Sequence, residues 1–252
     1  MEINGKKVVV IGGASGMGRA SAELLHARGA SVAIFDREGS DGKEVAAGIG
    51  GDFYPVDVTD FAATEETLKT AVDKLGGLHV TVTTAGGGIA KRTMSKSGPH
   101  DLESFQSVID LNLIASFNIS RLAASYMSQN EPEDEERGVI INTASIAAFE
   151  GQIGQVAYSA TKAGIVGMTL PIARELAAFG IRCVSIAPGI FMTPMLAGLA
   201  PDVQASLGAQ VPFPPRLGKP EEFARLVQSI VEIPTLNGEV IRLDGALRMA
   251  PK

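Results

Sequence analysis

The chain has 252 residues, 45% of them hydrophobic, enough to fill one large α/β domain or two small ones. With 22 basic against 28 acidic residues the net charge is −6, which argues against the clustered Lys and Arg of a nucleic-acid or anionic-membrane surface. The single cysteine, Cys183, excludes an intrachain disulfide and lies in the apolar run 181–186, as a buried core thiol would.

The first residues run straight into a strand, with neither a secretory apolar region nor an Arg-rich transit segment. No apolar run reaches the roughly 18 residues of a membrane span. The expectation is a soluble, cytoplasmic protein. Apolar, β-branched runs at 7–11, 31–35, 52–56, 79–84, 138–143, 182–187 and 239–243 read as seven strands. Helical patterns fall between them at 16–28, 64–75, 102–128, 157–179 and 221–231. This alternation predicts βαβ units, hence a mainly parallel sheet covered on both faces: one doubly wound α/β domain over 1–252.

Three segments break the rhythm. Residues 91–101 are polar and read as an exposed loop, and the acidic stretch 131–137 as a solvated turn. Residues 189–218 carry Phe191, Met192, Met195, Leu196, Leu199, Leu207, Val211 and Phe213 among several prolines. They follow the sixth strand at its carboxyl end, where ligands bind in open α/β sheets. Part of this set is expected to be packing, and the whole to form a lid over an apolar substrate.

The turn Gly12-Gly13-Ala14-Ser15-Gly16-Met17-Gly18 leaves a strand and opens a helix. Such a turn can be a plain tight βα connection, or it can bring backbone amides to a pyrophosphate at a helix N-terminus. Asp36, at the end of the second strand, stands about 20 residues on, where a carboxylate binds ribose hydroxyls and repels the extra phosphate of NADP. Arg37 beside it pulls the other way, but no second basic group stands in the turn, so NAD is the favoured cofactor. Tyr158 and Lys162, four residues apart, share a helix face, so the ammonium is expected to favour the phenolate and pull its pKa down. Ser145 leaves the end of an apolar strand and can bind a carbonyl or alcohol oxygen. A nucleotide site, an acid–base phenol and a polarising hydroxyl are the parts needed to move a hydride and a proton together. A hydrolytic role for Ser145 fails because it lacks the Gly-x-Ser-x-Gly elbow and no histidine follows it. His26, His79 and His100 are scattered, so no metal is assigned.

Together, the glycine turn, Asn112, Ser145, Tyr158 with Lys162, and Pro188-Gly189 resemble the short-chain dehydrogenase/reductase family, in the family's order and across essentially the whole chain. The runs 139–145, 148–152 and 236–245 are similar to one subgroup, the type 2 3-hydroxyacyl-CoA dehydrogenases, also described as type 10 17β-hydroxysteroid dehydrogenases. The resemblance implies a Rossmann fold and oxidation of a secondary alcohol, with a 3-hydroxyacyl-CoA first and a hydroxysteroid or other alcohol second. A nucleotide-binding scaffold without turnover is the remaining alternative. It implies Tyr158 as acid–base, Ser145 orienting the reacting oxygen, and Lys162 holding the nicotinamide ribose. Asn112 would anchor a proton-relay water, although as a helix residue it could equally bond its own turn. Gly12, Ser15, Gly16, Met17, Gly18, Asp36, Asp57, Val58, Ala85, Gly86, Pro188, Gly189 and Thr193 would line the NAD site, and Gln155 would touch substrate. Family members are commonly homotetramers that pair the helices of residues 113–127 and 158–179. Two positions depart from the pattern: Ile11 replaces a threonine, and Thr84 replaces the asparagine of Asn-Ala-Gly. Pro171, inside a helix, is expected to kink it.

Overall fold

A computed structural model describes residues 1–251, apart from the side chain of Met195 in the expected lid. Apolar alternation sets its core. Val8 and Val10 of β1 (Lys7–Ile11) face one side, while Val9 and Ile11 face the other. All four are essentially without solvent contact, which requires helices on both faces.

The elements that follow are α1 (Gly16–Ala27), β2 (Ser31–Asp36), α2 (Gly42–Gly48), β3 (Asp52–Pro55), α3 (Phe61–Leu75) and β4 (Val80–Thr83). A two-residue hairpin, β5 (Met94–Ser95) and β6 (Gly98–Pro99), precedes α4 (Leu102–Ile109), a π-turn (Asp110–Ile114) and α5 (Ala115–Met127). Then come β7 (Gly138–Thr143), α6 (Val156–Leu176), β8 (Ile181–Pro188), α7 (Pro194–Ala197), α8 (Pro201–Gly208), α9 (Pro220–Glu232) and β9 (Val240–Leu243).

Seven of the strands form one parallel sheet in the order β3-β2-β1-β4-β7-β8-β9. The winding reverses between β1 and β4, so a crevice opens at their carboxyl ends. All seven expected strands are found, in the expected parallel arrangement. On one face Leu25, Phe223, Val227 and Ile230 bring α1 and α9 onto the sheet; on the other, Leu68, Ile119 and Met127 bring α3 and α5. Local chemistry sets the helix ends. The Asp60 carboxylate accepts from Ala63 N at 2.9 Å, and Gly76 ends α3 with φ +75°. Asp101 caps α4 through Ser104 N at 2.7 Å.

Two sequence expectations are corrected by the structure. The single helix expected at 102–128 is interrupted by the π-turn around Asn112. The turn 131–137 is not wholly solvated, because Glu136 is buried and pairs with buried Arg182 at 2.6 Å. In the segment 189–218, prolines at the first helical positions start both α7 and α8. Within it Phe191 and Val211 are buried packing, whereas Phe213 is 79% exposed. Pro171 lies inside α6, which continues to Leu176. No helix among the described residues is long and apolar enough to cross a membrane.

Candidate active site

The first wall of the site is the glycine turn between β1 and α1. Gly12 has φ +81° and Gly16 φ +51°, conformations that disfavour a side chain. A Cβ on Gly18 would lie 2.1 Å from the Gly12 carbonyl oxygen, so helix and strand approach closer than any other residue allows. Ser15 is the N-cap, but its hydroxyl makes no capping bond and no acidic residue stands in the first turn. The α1 amides and their partial positive charge therefore face the crevice, as an anion such as a pyrophosphate requires. Thr84, one of the two departures, braces this turn: its hydroxyl donates to the carbonyls of Ile11 at 3.0 Å and Gly12 at 3.1 Å.

Asp36 ends β2 with its carboxylate fixed against the same turn, accepting from Ala14 N at 3.0 Å and Arg37 N at 2.8 Å. Asp57 accepts from the amide and hydroxyl of Thr59, which hold its pKa below the usual carboxylate range, with Arg37 adding a smaller pull. Val58 beside it is buried. Ala85 and Gly86 follow β4, the strand beside β1, so they lie next to the glycine turn. A Cβ on Gly86 would sit 2.6 Å from Asn112 Oδ1 and 3.5 Å from Lys162 Nζ, so its backbone passes between those two side chains.

The second wall carries the candidate reactive groups. β7 delivers Ser145, whose Oγ accepts from Ala147 N at 3.1 Å and starts a short 3-10 turn. α6 presents Tyr158 and Lys162 on one face, with Nζ 5.6 Å from the centre of the phenol ring. Lys162 is buried, donates to the Thr143 carbonyl at 2.7 Å, and has its pKa lowered by burial to about 8. The tyrosine departs from expectation. Burial pushes its pKa up, and the neighbouring Ser145 hydroxyl, rather than the lysine, opposes this. The physical reason is placement: the ammonium lies against the ring and bonds the end of β7, while the phenol itself loses solvation.

Asn112 is buried in the π-turn with its amide fully engaged. Nδ2 donates to the carbonyls of Gly87 at 2.7 Å and Val108 at 2.9 Å, and Oδ1 accepts from Gly87 N at 3.1 Å. It thus bonds its own turn and clamps the Gly86–Gly88 backbone. Opposite it, a Cβ on Gly88 would lie 3.1 Å from the Tyr158 ring.

Pro188 ends β8, and Gly189 N donates to Leu243 O at 2.9 Å. Thr193 caps α7 through Leu196 N at 3.4 Å, and Pro194 comes within 3.6 Å of the Cβ position of Gly16. The segment after β8 therefore folds back over the glycine turn. Gln155 ends the loop before α6 and bonds Gln152 through its amide oxygen at 3.1 Å. Beside Ser159 lies a cleft of about 490 Å³, lined also by Arg92, Met94, Ile153 and Val156. The sequence reading missed this cleft and the support from Thr84, Gly88 and the Thr143 carbonyl. No spacing signal announces a backbone contact; only the unusual triplet Gly86-Gly87-Gly88 hints at one.

The comparisons with known proteins define the class: the chain is an oxidoreductase acting on CH–OH groups. The sequence matches the short chain dehydrogenase family over residues 6–204, and the chain belongs to that family, whose members act on CH–OH groups. It is 56% identical over 248 residues to a 3-hydroxyacyl-CoA dehydrogenase type-2 of Drosophila melanogaster, covering 96% of this chain and 97% of that one. The human protein of the same name is 53% identical over 254 residues, 99% of this chain and 97% of its own. The crystal structure of a 3-hydroxyacyl-CoA dehydrogenase type-2 from Mycobacterium avium superposes with a TM-score of 0.94 at 41% identity, covering both chains completely.

Proposed function

We propose that the chain is an NAD-dependent dehydrogenase that interconverts 3-hydroxyacyl-CoA and 3-oxoacyl-CoA. The observation that carries this reading is the convergence of Ser145, Tyr158 and Lys162 on the crevice beside the glycine turn, in a chain more than half identical to two proteins of that printed name. NAD bound along Gly12, Ser15, Gly16, Met17, Gly18, Asp36, Asp57, Val58, Ala85, Gly86, Pro188, Gly189 and Thr193 would supply the hydride acceptor. Asp36 favours NAD over NADP by charge, since its carboxylate is already held at the rim.

The protein's own groups account for the rest. Ser145 donates its hydroxyl proton to the reacting oxygen. Tyr158 Oη, a phenol with its pKa raised by burial, gives its proton to the substrate oxygen in reduction and, as the phenolate, takes the alcohol proton in oxidation. Lys162 gives one N–H to Thr143 and keeps two for the ribose. Asn112 fixes the Gly86–Gly88 backbone and would anchor the relay water that the resemblance assigns to it. Gln155 meets the substrate from the start of α6. The exposed apolar side chains Ile114, Phe117, Leu170 and Phe179 suit the contacts of a homotetramer.

The test is reduction of acetoacetyl-CoA with NADH and, in parallel, NADPH. Fast turnover confined to NADH is expected. Turnover with NADPH would overturn the role given to Asp36. Silence with both, against activity on a hydroxysteroid, would move the substrate to that class.

A further inference from the structure

Two runs that mark the subgroup resemblance, 148–152 and 236–245, lie far apart in sequence and meet in space at Arg242. Its guanidinium is shared between two parts of the site. Nη1 and Nη2 donate to the two carboxylate oxygens of Glu150 at 2.7 and 2.9 Å, a bidentate pair, and the plane lies 5.1 Å from the centre of the Phe149 ring. Phe149 and Glu150 close the turn that Ser145 opens, so this half of the contact holds the loop of the polarising hydroxyl. On the other side Nε donates to Asp244 at 2.7 Å and Nη2 to the Leu247 carbonyl at 3.1 Å.

The Asp244–Leu247 turn is in turn the anchor of the segment after β8. Gly189 packs on Asp244, Phe213 N donates to Gly245 O at 3.2 Å, and Leu247 joins Ile146 and Val211 in one buried apolar cluster. Ile146 is the residue next to Ser145. An ordinary surface ion pair would touch one element and contribute little. Here Arg242 engages every guanidinium nitrogen to join the Ser145 loop to the root of the lid, while the more exposed Arg248 reaches the same two carboxylates at 3.5 and 3.2 Å.

We propose that Arg242 is a positioning residue: it sets the Ser145 hydroxyl and the 189–218 segment in register, so that substrate binding and oxygen polarisation depend on one another. The inference rests on Ser145 binding the reacting oxygen, as in the function proposed above. It bears on the NAD site only through Gly189 and Thr193 at the start of the same segment, since the glycine turn and Asp36 lie on the other wall.

The test compares wild type with Arg242→Met, Arg242→Lys and Glu150→Gln. For Arg242→Met, kcat/KM for acetoacetyl-CoA is expected to fall by about 10-fold or more, with KM raised and NADH affinity lowered by a much smaller factor, because the glycine turn and Asp36 are untouched. Arg242→Lys keeps the charge but loses the fork and is expected to recover only part of the loss. Hydrogen exchange, which needs no substrate, is expected to rise in both 145–151 and 189–218 in Arg242→Met, and to a smaller extent in Glu150→Gln, which leaves the Asp244 side intact. A merely structural arginine would lower the unfolding temperature without moving KM away from wild type. Unchanged exchange in either segment, or a loss of NADH affinity equal to the loss of substrate affinity, would overturn the proposal. Loss of acetoacetyl-CoA turnover in wild type itself would refute the substrate reading, while the exchange comparison would still decide the role of Arg242.

Discussion

Replacing Lys162 by Met should give a protein that is more stable and inactive. Burial lowers the folded-state pKa of this ammonium from 10.5 to about 8. Each unit is worth about 1.4 kcal/mol, so keeping the charge inside costs the folded protein about 3 kcal/mol at pH 7. The substitution also strips the Thr143 carbonyl of its 2.7 Å donor, at a cost of about 1–2 kcal/mol. The net is a gain of about 1–2 kcal/mol, or about 2–8 °C in Tm for a chain of this length. The gain depends on pH. Between about pH 8 and 10.5 the unfolded chain holds a proton that the folded protein has released, so wild-type stability rises with pH across that window. The advantage of Lys162→Met should therefore shrink by about 2 kcal/mol from pH 7 to pH 9.5. Urea unfolding of both proteins at the two pH values and one protomer concentration measures this difference, with other titrating groups cancelling. A variant destabilised equally at both pH values would refute the reasoning, because the buried ammonium would then carry no penalty.

Two other substitutions test the cofactor wall. Asp36→Ala removes the carboxylate at the ribose end, so the ratio of NADPH to NADH turnover should rise by about 10-fold or more, the worth of one charge-assisted contact. Gly18→Ala places a methyl 2.1 Å from the backbone carbonyl of Gly12, which cannot move aside without opening the turn. NADH affinity, read by fluorescence titration, should fall by about 10-fold or more, and wild-type affinity in that variant would show that the turn is looser than its geometry.

The parallel sheet and most strand limits were legible because strands buried on both faces are continuous apolar runs with a short, regular repeat. Lys7–Ile11 and Gly138–Thr143 match to the residue. The pairing of Tyr158 with Lys162 was legible because the two need only helical spacing to meet. Structure that depends on contacts between distant segments was not legible. α2 is a seven-residue helix with glycine at each end, too short to show a period. Glu136 sits in an acidic run like any solvated one, and only the fold brings Arg182 to it. The direction of the Tyr158 shift was misread for a similar reason: spacing brings the lysine near the ring but does not show that Thr143 holds its ammonium. The Arg242–Glu150 contact spans 92 residues and has no local signature at all.

The central claim is that Tyr158 carries the proton in a site that binds NADH without it. The most direct test is Tyr158→Phe, measured for NADH affinity and for acetoacetyl-CoA reduction in the same preparation. The account predicts wild-type NADH binding with turnover reduced by about 100-fold or more, the contribution of a positioned acid–base group. Turnover within a few-fold of wild type would contradict it and pass the proton to another group.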